Sequence, residues 1–275
     1  MNINQYINNE ISTFNKDLDV FLKKHKTNNK LFKVMCYALK NGGKRLRPII
    51  IKEVSKSLKL KKKQYINSMI AIELVHSYSL IHDDLPCMDD DDYRRGRLST
   101  HKKYDEAQAI LAGNSLLTMA FNLLSRDSNP LLINLLSQLS GFEGLAGGQS
   151  LDIDITKKSI NNKMIDKIHE LKTAKLFEFC TSAPFIIDHH NKKQIHAARM
   201  YGKIIGKIFQ IIDDIHDYEH KSDELINILN VMTKSNALKK CHDYEMQAES
   251  YRKKIFPNND NKMNNILSFI INRKY

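Results

Sequence analysis

The sequence predicts an all-α fold, and three observations predict it. Glycine (10) and proline (5) are sparse in 275 residues, while leucine, isoleucine, lysine, glutamate and alanine are plentiful, which favours helices over turn-rich β architecture. Apolar residues recur at helical spacing, as at Ile7, Ile11, Phe14, Leu18 and Phe21. No segment alternates apolar and polar residues for long enough to read as a strand.

The first helix is expected over residues 4–24 on that spacing, and the second over 29–41, where the glycines of "NGGKRLRP" interrupt the pattern. A third follows over 46–58, and a fourth over 62–84 is ended by Pro86. Further helices are expected over 104–125, 129–149, 161–187, 191–219, 223–253 and 259–273. Within 191–219, Gly202 and Gly206 let a neighbouring helix approach closely and are read as packing positions. No repeat and no Pro/Ser/Gly-rich linker divides the chain. Residues 1–275 are therefore expected to form a single domain, a bundle of about ten helices around a central cavity.

The 43 basic and 31 acidic residues give a net charge of +12, which suits nucleic acid, anionic membrane or phosphorylated small molecules. The lysines are scattered, as at Lys61 to Lys63, Lys157 with Lys158, and Lys239 with Lys240. No zinc-finger or aromatic-plus-basic signature accompanies them, so nucleic acid is not the expected partner. Cys36, Cys87, Cys180 and Cys241 lack C-x-x-C spacing, which argues for reduced thiols. The N-terminus lacks a signal-type apolar core and no apolar run nears the roughly 20 residues of a membrane span, so the expected setting is cytoplasmic.

Three constellations carry chemistry. In "INSMIAIELVHSYSLIHDD", His76, Ser79, Leu80 and Asp83 share one helical face, and Pro86 then throws "CMDDDD" into a loop. The plain alternative is a solvated acidic loop. Carboxylates at a helix C-terminus oppose the macrodipole, however, and a dense acidic cluster repels itself unless it holds a cation. Hard oxygen ligands suit Mg²⁺. In "FQIIDDIHDYEH", Gln210, Asp213, Asp214 and Asp217 fall at i, i+3, i+4 and i+7 on an otherwise apolar helix. Carboxylates on a face meant for a core are costly unless a metal occupies them. The third set is cationic: Lys44, Arg45 and Arg47 after two glycines, and Arg94, Arg95 and Arg97 past the acidic loop, with guanidinium forks that match phosphate geometry. Lys172, Thr173 and Gln149 add donors from helices. Two acidic and two basic clusters in a helical frame describe a cavity for diphosphates held by Mg²⁺ and by Arg/Lys.

The segments "GGKRLRP", "ELVHSYSLIHDDLPCMDDDDYRRGR", "AILAGNSLLTMAF", "GGQSLDID", "HELKTAKLF" and "FQIIDDIHD" cover residues 42–217 almost continuously. In order and spacing the chain resembles the trans-isoprenyl diphosphate synthases, its bacterial farnesyl diphosphate synthases above all. The resemblance implies the isoprenoid synthase fold, a homodimer, and several Mg²⁺ ions per active site. By it, Asp83, Asp89 and Asp213 coordinate Mg²⁺ on the allylic diphosphate, with Asp84, Asp214 and Asp217 as ligands or just behind them. Arg94, Lys172 and Gln149 hold the same diphosphate. Lys44, Arg47, His76 and Arg95 hold isopentenyl diphosphate without metal. The allylic C–O bond ionises, the alkene attacks the cation, and a proton leaves to the pyrophosphate. Thr173, Gln210 and the Lys172 carbonyl place dipoles near the cation. Tyr78 and Ser79, one turn before the first motif, set the floor of the pocket, and with the "PC" insertion imply the C15 product, farnesyl diphosphate.

Beyond the second motif the family carries G-K-x-x-G-x-D and then K-[ST]. Here "YEHKSDELINILNVMTKSNALKK" has lost the glycines and is shortened; Lys234 with Ser235 matches the later pair, and Lys221 is the remaining candidate for the loop lysine. This departure leaves a second reading, a non-catalytic diphosphate-binding or regulatory subunit. A terpene cyclase would not need the second diphosphate site.

Overall fold

Helices follow the expected ranges closely in the computed structural model, which describes residues 3–155, 160–219, 226–256 and 261–272. They fall into two compact units, residues 1–52 with 62–130, and residues 53–61 with 131–275.

In the first unit, α1 (Ile3–Lys24) buries Ile7, Phe14, Leu18 and Phe21, the stripe read from the sequence. Asn29 caps α2 (Lys30–Leu39), its side chain accepting from Leu31 N–H at 2.7 Å, so the orphan donors of the first turn are met. Helix α3 (Leu46–Ser57) opens after the two glycines, its residues up to Lys52 belonging to this unit and the rest to the second. Helix α4 (Lys62–Asp83) is buried on nearly every side, from Tyr65 through Ile81, as a helix apolar all round must be. Short α5 (Thr100–Lys103) leads to α6 (Glu106–Ser125), capped by Asp105 and packed on α2 and α4.

Two findings depart from the sequence reading here. Tyr93–Arg94 and Arg97–Leu98 form a two-residue hairpin, β1 and β2, where no strand was expected. It is too short to leave a period-two signature, and its turn uses positive φ at Arg95 (55°) and Gly96 (74°), the conformation of tight hairpins. Helix α6 is, among the described residues, long and apolar enough to cross a membrane, which the sequence reading did not foresee. Its 20 residues hold only one charge, Glu106, but Ala109, Ala112, Gly113, Leu116, Ala120 and Leu124 are buried in this unit.

In the second unit, the expected helix 129–149 is two, α7 (Pro130–Ser140) and α8 (Leu145–Asp154). The break falls at Gly141 and Gly144, where a Cβ on Gly144 would lie 2.1 Å from the Leu139 carbonyl oxygen. The expected helix 161–187 is continuous but not uniform. It runs as α9 (Asn162–Ile168), a π-helical segment (His169–Ala174), and α10 (Lys175–Ile187). Helix α11 (Lys192–Glu219) packs on α10, on the π segment and on α12 (Lys234–Ile255). Thr233 caps α12, so the helix expected from 223 begins eleven residues later, after a 3₁₀ turn at Ile228–Asn230 capped by Asn227. Helix α13 is Asn261–Asn272.

The candidate active-site residues in their two units

The cationic corner of the first unit is built on glycine. Gly42 and Gly43 hold φ of 74° and 109°, and beyond Lys44 Arg45 holds 46°, positive-φ positions that turn the chain sharply into α3. Arg45, read from the sequence as a phosphate donor, goes inward instead: it pairs with buried Glu73 and donates to the Leu39 carbonyl at 2.6 Å and to Asn15 Oδ1 at 3.1 Å. Arg95 takes the outward role at the same turn. Its Nη1 donates to the Gly42 carbonyl at 2.6 Å, and a Cβ on Gly43 would lie 2.4 Å from that nitrogen, so only glycine fits there. Asn41 Nδ2 donates to the Arg94 carbonyl at 3.0 Å. The two basic motifs are thereby joined, with Lys44 half-buried beside them. Arg97 lies over the Tyr37 ring, 4.6 Å from its centroid.

Arg47 Nη1 lies 3.4 Å from His76 Nε2. Burial, and then the charges of Arg47, Arg95, Arg45 and Arg94, push the His76 pKa well below 6.5. The imidazole is therefore neutral and accepts from Arg47. Loss of hydration lowers the Arg95 pKa too, with Arg45, Arg94 and Arg47 adding to it against the pull of Glu73. Crowded like charges of this kind are relieved by an anion.

The first acidic motif turns back on α4 through its backbone: Met88 N–H donates to the Leu85 carbonyl at 2.8 Å and Asp89 N–H to the Asp83 carbonyl at 2.9 Å. The paired aspartates then separate. Asp84 is 3% exposed and takes Arg94 Nε at 2.7 Å, while Arg94 Nη2 reaches Asp91 Oδ2 at 2.7 Å. Burial raises the Asp84 pKa and Arg94 opposes it. Asp83 is only half-buried and Asp89 is exposed. Behind them, the Tyr78 ring stands edge-on to His82 at 5.4 Å, and burial, then Asp83, raises its pKa. His82 Nε2 lies 3.2 Å from the Ile110 carbonyl, and a Cβ on Gly113 would sit 2.2 Å from that nitrogen, so Gly113 of α6 seats the histidine. Ser79 is buried and bonds the His76 carbonyl at 3.0 Å.

In the second unit the π segment carries Lys172 and Thr173. Such segments expose backbone and cluster at functional sites. Gly148 of α8 and Gly206 of α11 press against it, since a Cβ on Gly148 would lie 2.4 Å from the Lys172 nitrogen and one on Gly206 2.5 Å from the Ala174 Cα. Gly202 meets Thr181 and Phe177 in the same way, which makes both α11 glycines packing positions. Lys172 pairs with Asp152. Thr173 Oγ1 donates to Gln210 Oε1 at 2.6 Å, and Gln210 Nε2 donates to Asp214 Oδ1 at 3.0 Å. Asp214 is 2% exposed; its Oδ2 accepts from Ile228 N–H at 2.7 Å and lies 3.1 Å from His169 Nε2, while its carbonyl accepts from Asn227 Nδ2 at 2.7 Å. Asp213 and Asp217 are half-buried. Gln149 is buried with neither amide atom hydrogen-bonded among the described residues.

Sequence reasoning missed His82, Gly113, His169, Asn227 and Asp152; the glycine in "AILAGNSLL" is the one signal that could have found a close helix contact. Lys234 and Ser235 are exposed in the first turn of α12. Lys221 lies outside the described residues.

A polyprenyl synthetase family model matches residues 28–246. The chain is 40% identical over 221 residues to a farnesyl diphosphate synthase of Bacillus subtilis, covering 78% of this chain and 75% of that one. It is 43% identical over 202 residues to a farnesyl diphosphate synthase of Micrococcus luteus, covering 72% and 69%. Among solved structures it resembles a geranyltransferase from Legionella pneumophila with a TM-score of 0.88 at 31% identity, covering 99% of this chain and 98% of that one. A geranyltranstransferase from Thermotoga maritima follows at 0.83 and 25%, covering 96% of each.

Proposed function

Because the chain belongs to the polyprenyl synthetase family, we propose that it condenses isopentenyl diphosphate with dimethylallyl and then geranyl diphosphate to give farnesyl diphosphate. It is a prenyltransferase. One observation carries the assignment of the site: in each Asp-Asp pair the second carboxylate is buried and bonded within the chain, Asp84 to Arg94 and Asp214 to Gln210 and Ile228, while the first stays half-exposed.

The donor sets fit Mg²⁺. Asp83 with Asp89, at the end of α4 and in the turn after it, and Asp213 with Asp217 on α11, offer oxygen ligands only, beside partner aspartates already fixed, and hard cations prefer such sets. When bound, Mg²⁺ would neutralise charge building on the departing pyrophosphate. The other steps belong to the chain. Lys172 and Arg94, which pair with Asp152 and Asp84, would hold the allylic diphosphate. Gln149, a buried amide with no hydrogen-bond partner among the described residues, takes part of the same ligand. The Thr173–Gln210 hydrogen bond fixes two dipoles that stabilise the allylic cation as the C–O bond breaks. Lys44, Arg47, His76 and Arg95 hold isopentenyl diphosphate, and the proton lost after condensation passes to pyrophosphate, so no side-chain base is needed. The whole chain works as one synthase domain, as a cytoplasmic homodimer, with α6 a core helix and no membrane span; these features rest on the family resemblance.

Product analysis after incubation with isopentenyl and dimethylallyl diphosphates tests the reading. Farnesyl diphosphate that forms only with Mg²⁺ is the expected result, and no product from folded protein would overturn it. The non-catalytic alternative gains no support, since the matched relatives are synthases and every residue of both aspartate pairs is in place.

Two further outcomes follow from the geometry. Neutral His76 should take up a proton when a diphosphate arrives beside it, because the anion favours the charged ring that the arginines oppose. Binding should then tighten as pH falls toward the lowered His76 pKa. Calorimetry in buffers of different ionisation enthalpy will show net proton uptake, lost in His76→Asn. Tyr78→Ala should remove the floor and lengthen the product beyond C15; an unchanged product profile would reject that role.

A further inference from the structure

Next to the first motif, the hairpin gathers a second donor set that the prenyl transfer does not use. Asp90, Asp92 and His101 each present a ligand atom within 4.8 Å of the others. Exposed carboxylates often gather without purpose, but His101 is not exposed. It is 7% accessible in the first turn of α5, and its Nδ1 lies 3.1 Å from Ser99 Oγ. That leaves Nε2 buried with no hydrogen-bond partner among the described residues, a costly state for a polar nitrogen. The backbone fixes the group: Asp90 holds a left-handed φ of 53°, Ser99 N–H donates to the Asp92 carbonyl at 2.9 Å, and the pairing of Tyr93 with Leu98 brings the two sides together.

We propose that Asp90, Asp92 and His101 form a second metal site, for a borderline divalent cation of the Zn²⁺ class. Its mixed imidazole and carboxylate donors suit such a cation, whereas the oxygen-only set at Asp83 and Asp89 suits Mg²⁺. The Ser99 bond orients the His101 ring as an outer partner orients a ligating histidine. Lys102 Nζ sits 2.7 Å from Asp92 Oδ1 and competes for one carboxylate oxygen. A cation here ties the acidic loop to α5 and thereby steadies the hairpin that carries Arg94 and Arg95.

The probe is Mn²⁺, added to untagged full-length protein without substrate and followed by pulsed electron paramagnetic resonance. Oxygen ligands give no ¹⁴N coupling, whereas a directly bound imidazole does, so this readout is blind to the Mg²⁺ site. Wild type is expected to show the coupling, and His101→Gln to lose it, with affinity for that ion reduced about tenfold or more. Because His101 is buried, Asp92→Asn at an exposed position provides the same test without touching the core. Lys102→Gln should bind the ion several-fold more tightly. Absence of ¹⁴N coupling in wild type at saturating Mn²⁺, or its persistence in His101→Gln and Asp92→Asn, overturns the proposal.

Discussion

Asp83→Ala and Asp213→Ala are each expected to lower turnover about 10³-fold, roughly 4 kcal/mol in the barrier, while the protein stays folded. Neither carboxylate is among the fully buried groups of its unit, so its loss removes charge from a half-exposed position and leaves the core intact. The reaction, by contrast, must spread the charge of a leaving pyrophosphate, and a missing ligand is felt there in full. Steady-state kinetics with circular dichroism as a control for folding will check this. Near-normal turnover in either variant would remove that residue from the metal-binding set.

The second aspartate of the second motif should behave in the opposite way. Asp214→Ala deletes the acceptor of the Gln210 amide at 3.0 Å and of Ile228 N–H at 2.7 Å, in a position only 2% exposed. Each buried donor left without a partner costs about 1–3 kcal/mol, so a loss of about 3 kcal/mol in stability is expected. Denaturant unfolding should show a lower midpoint with an unchanged slope. Activity will fall too, because Gln210 is then free to turn from Thr173. A variant as stable as wild type would show that Asp214 is not the anchor of this unit.

The outcome for these pairs explains how far the sequence could be read. Asp213 and Asp214 are adjacent on a helix, and periodicity places both, with Gln210 and Asp217, on one face of α11. Which one turns inward depends on Ile228, fourteen residues on, and on His169 from the π segment. In the first motif Asp84 is taken by Arg94, ten residues on, on the first strand of a hairpin too short to announce itself. Arg45 shows the same limit: as one cation among three in "KRLR" it looks like a ligand donor, and only Glu73 of α4 reveals it as an internal pair.

By itself, then, the sequence determined the helical class, most helix ranges, the residues of both acidic motifs and the family. Those properties are local: helical spacing, proline and glycine breaks, and side-chain chemistry act within a few residues along the chain. Tertiary structure alone decided the break between α7 and α8, the π segment, the lowered pKa of His76, the seat that Gly113 gives His82, and which aspartate of each pair is buried. These depend on which groups meet across long stretches of chain, and burial, which fixes both the bonding partner and the charge state, exists only after the helices have packed.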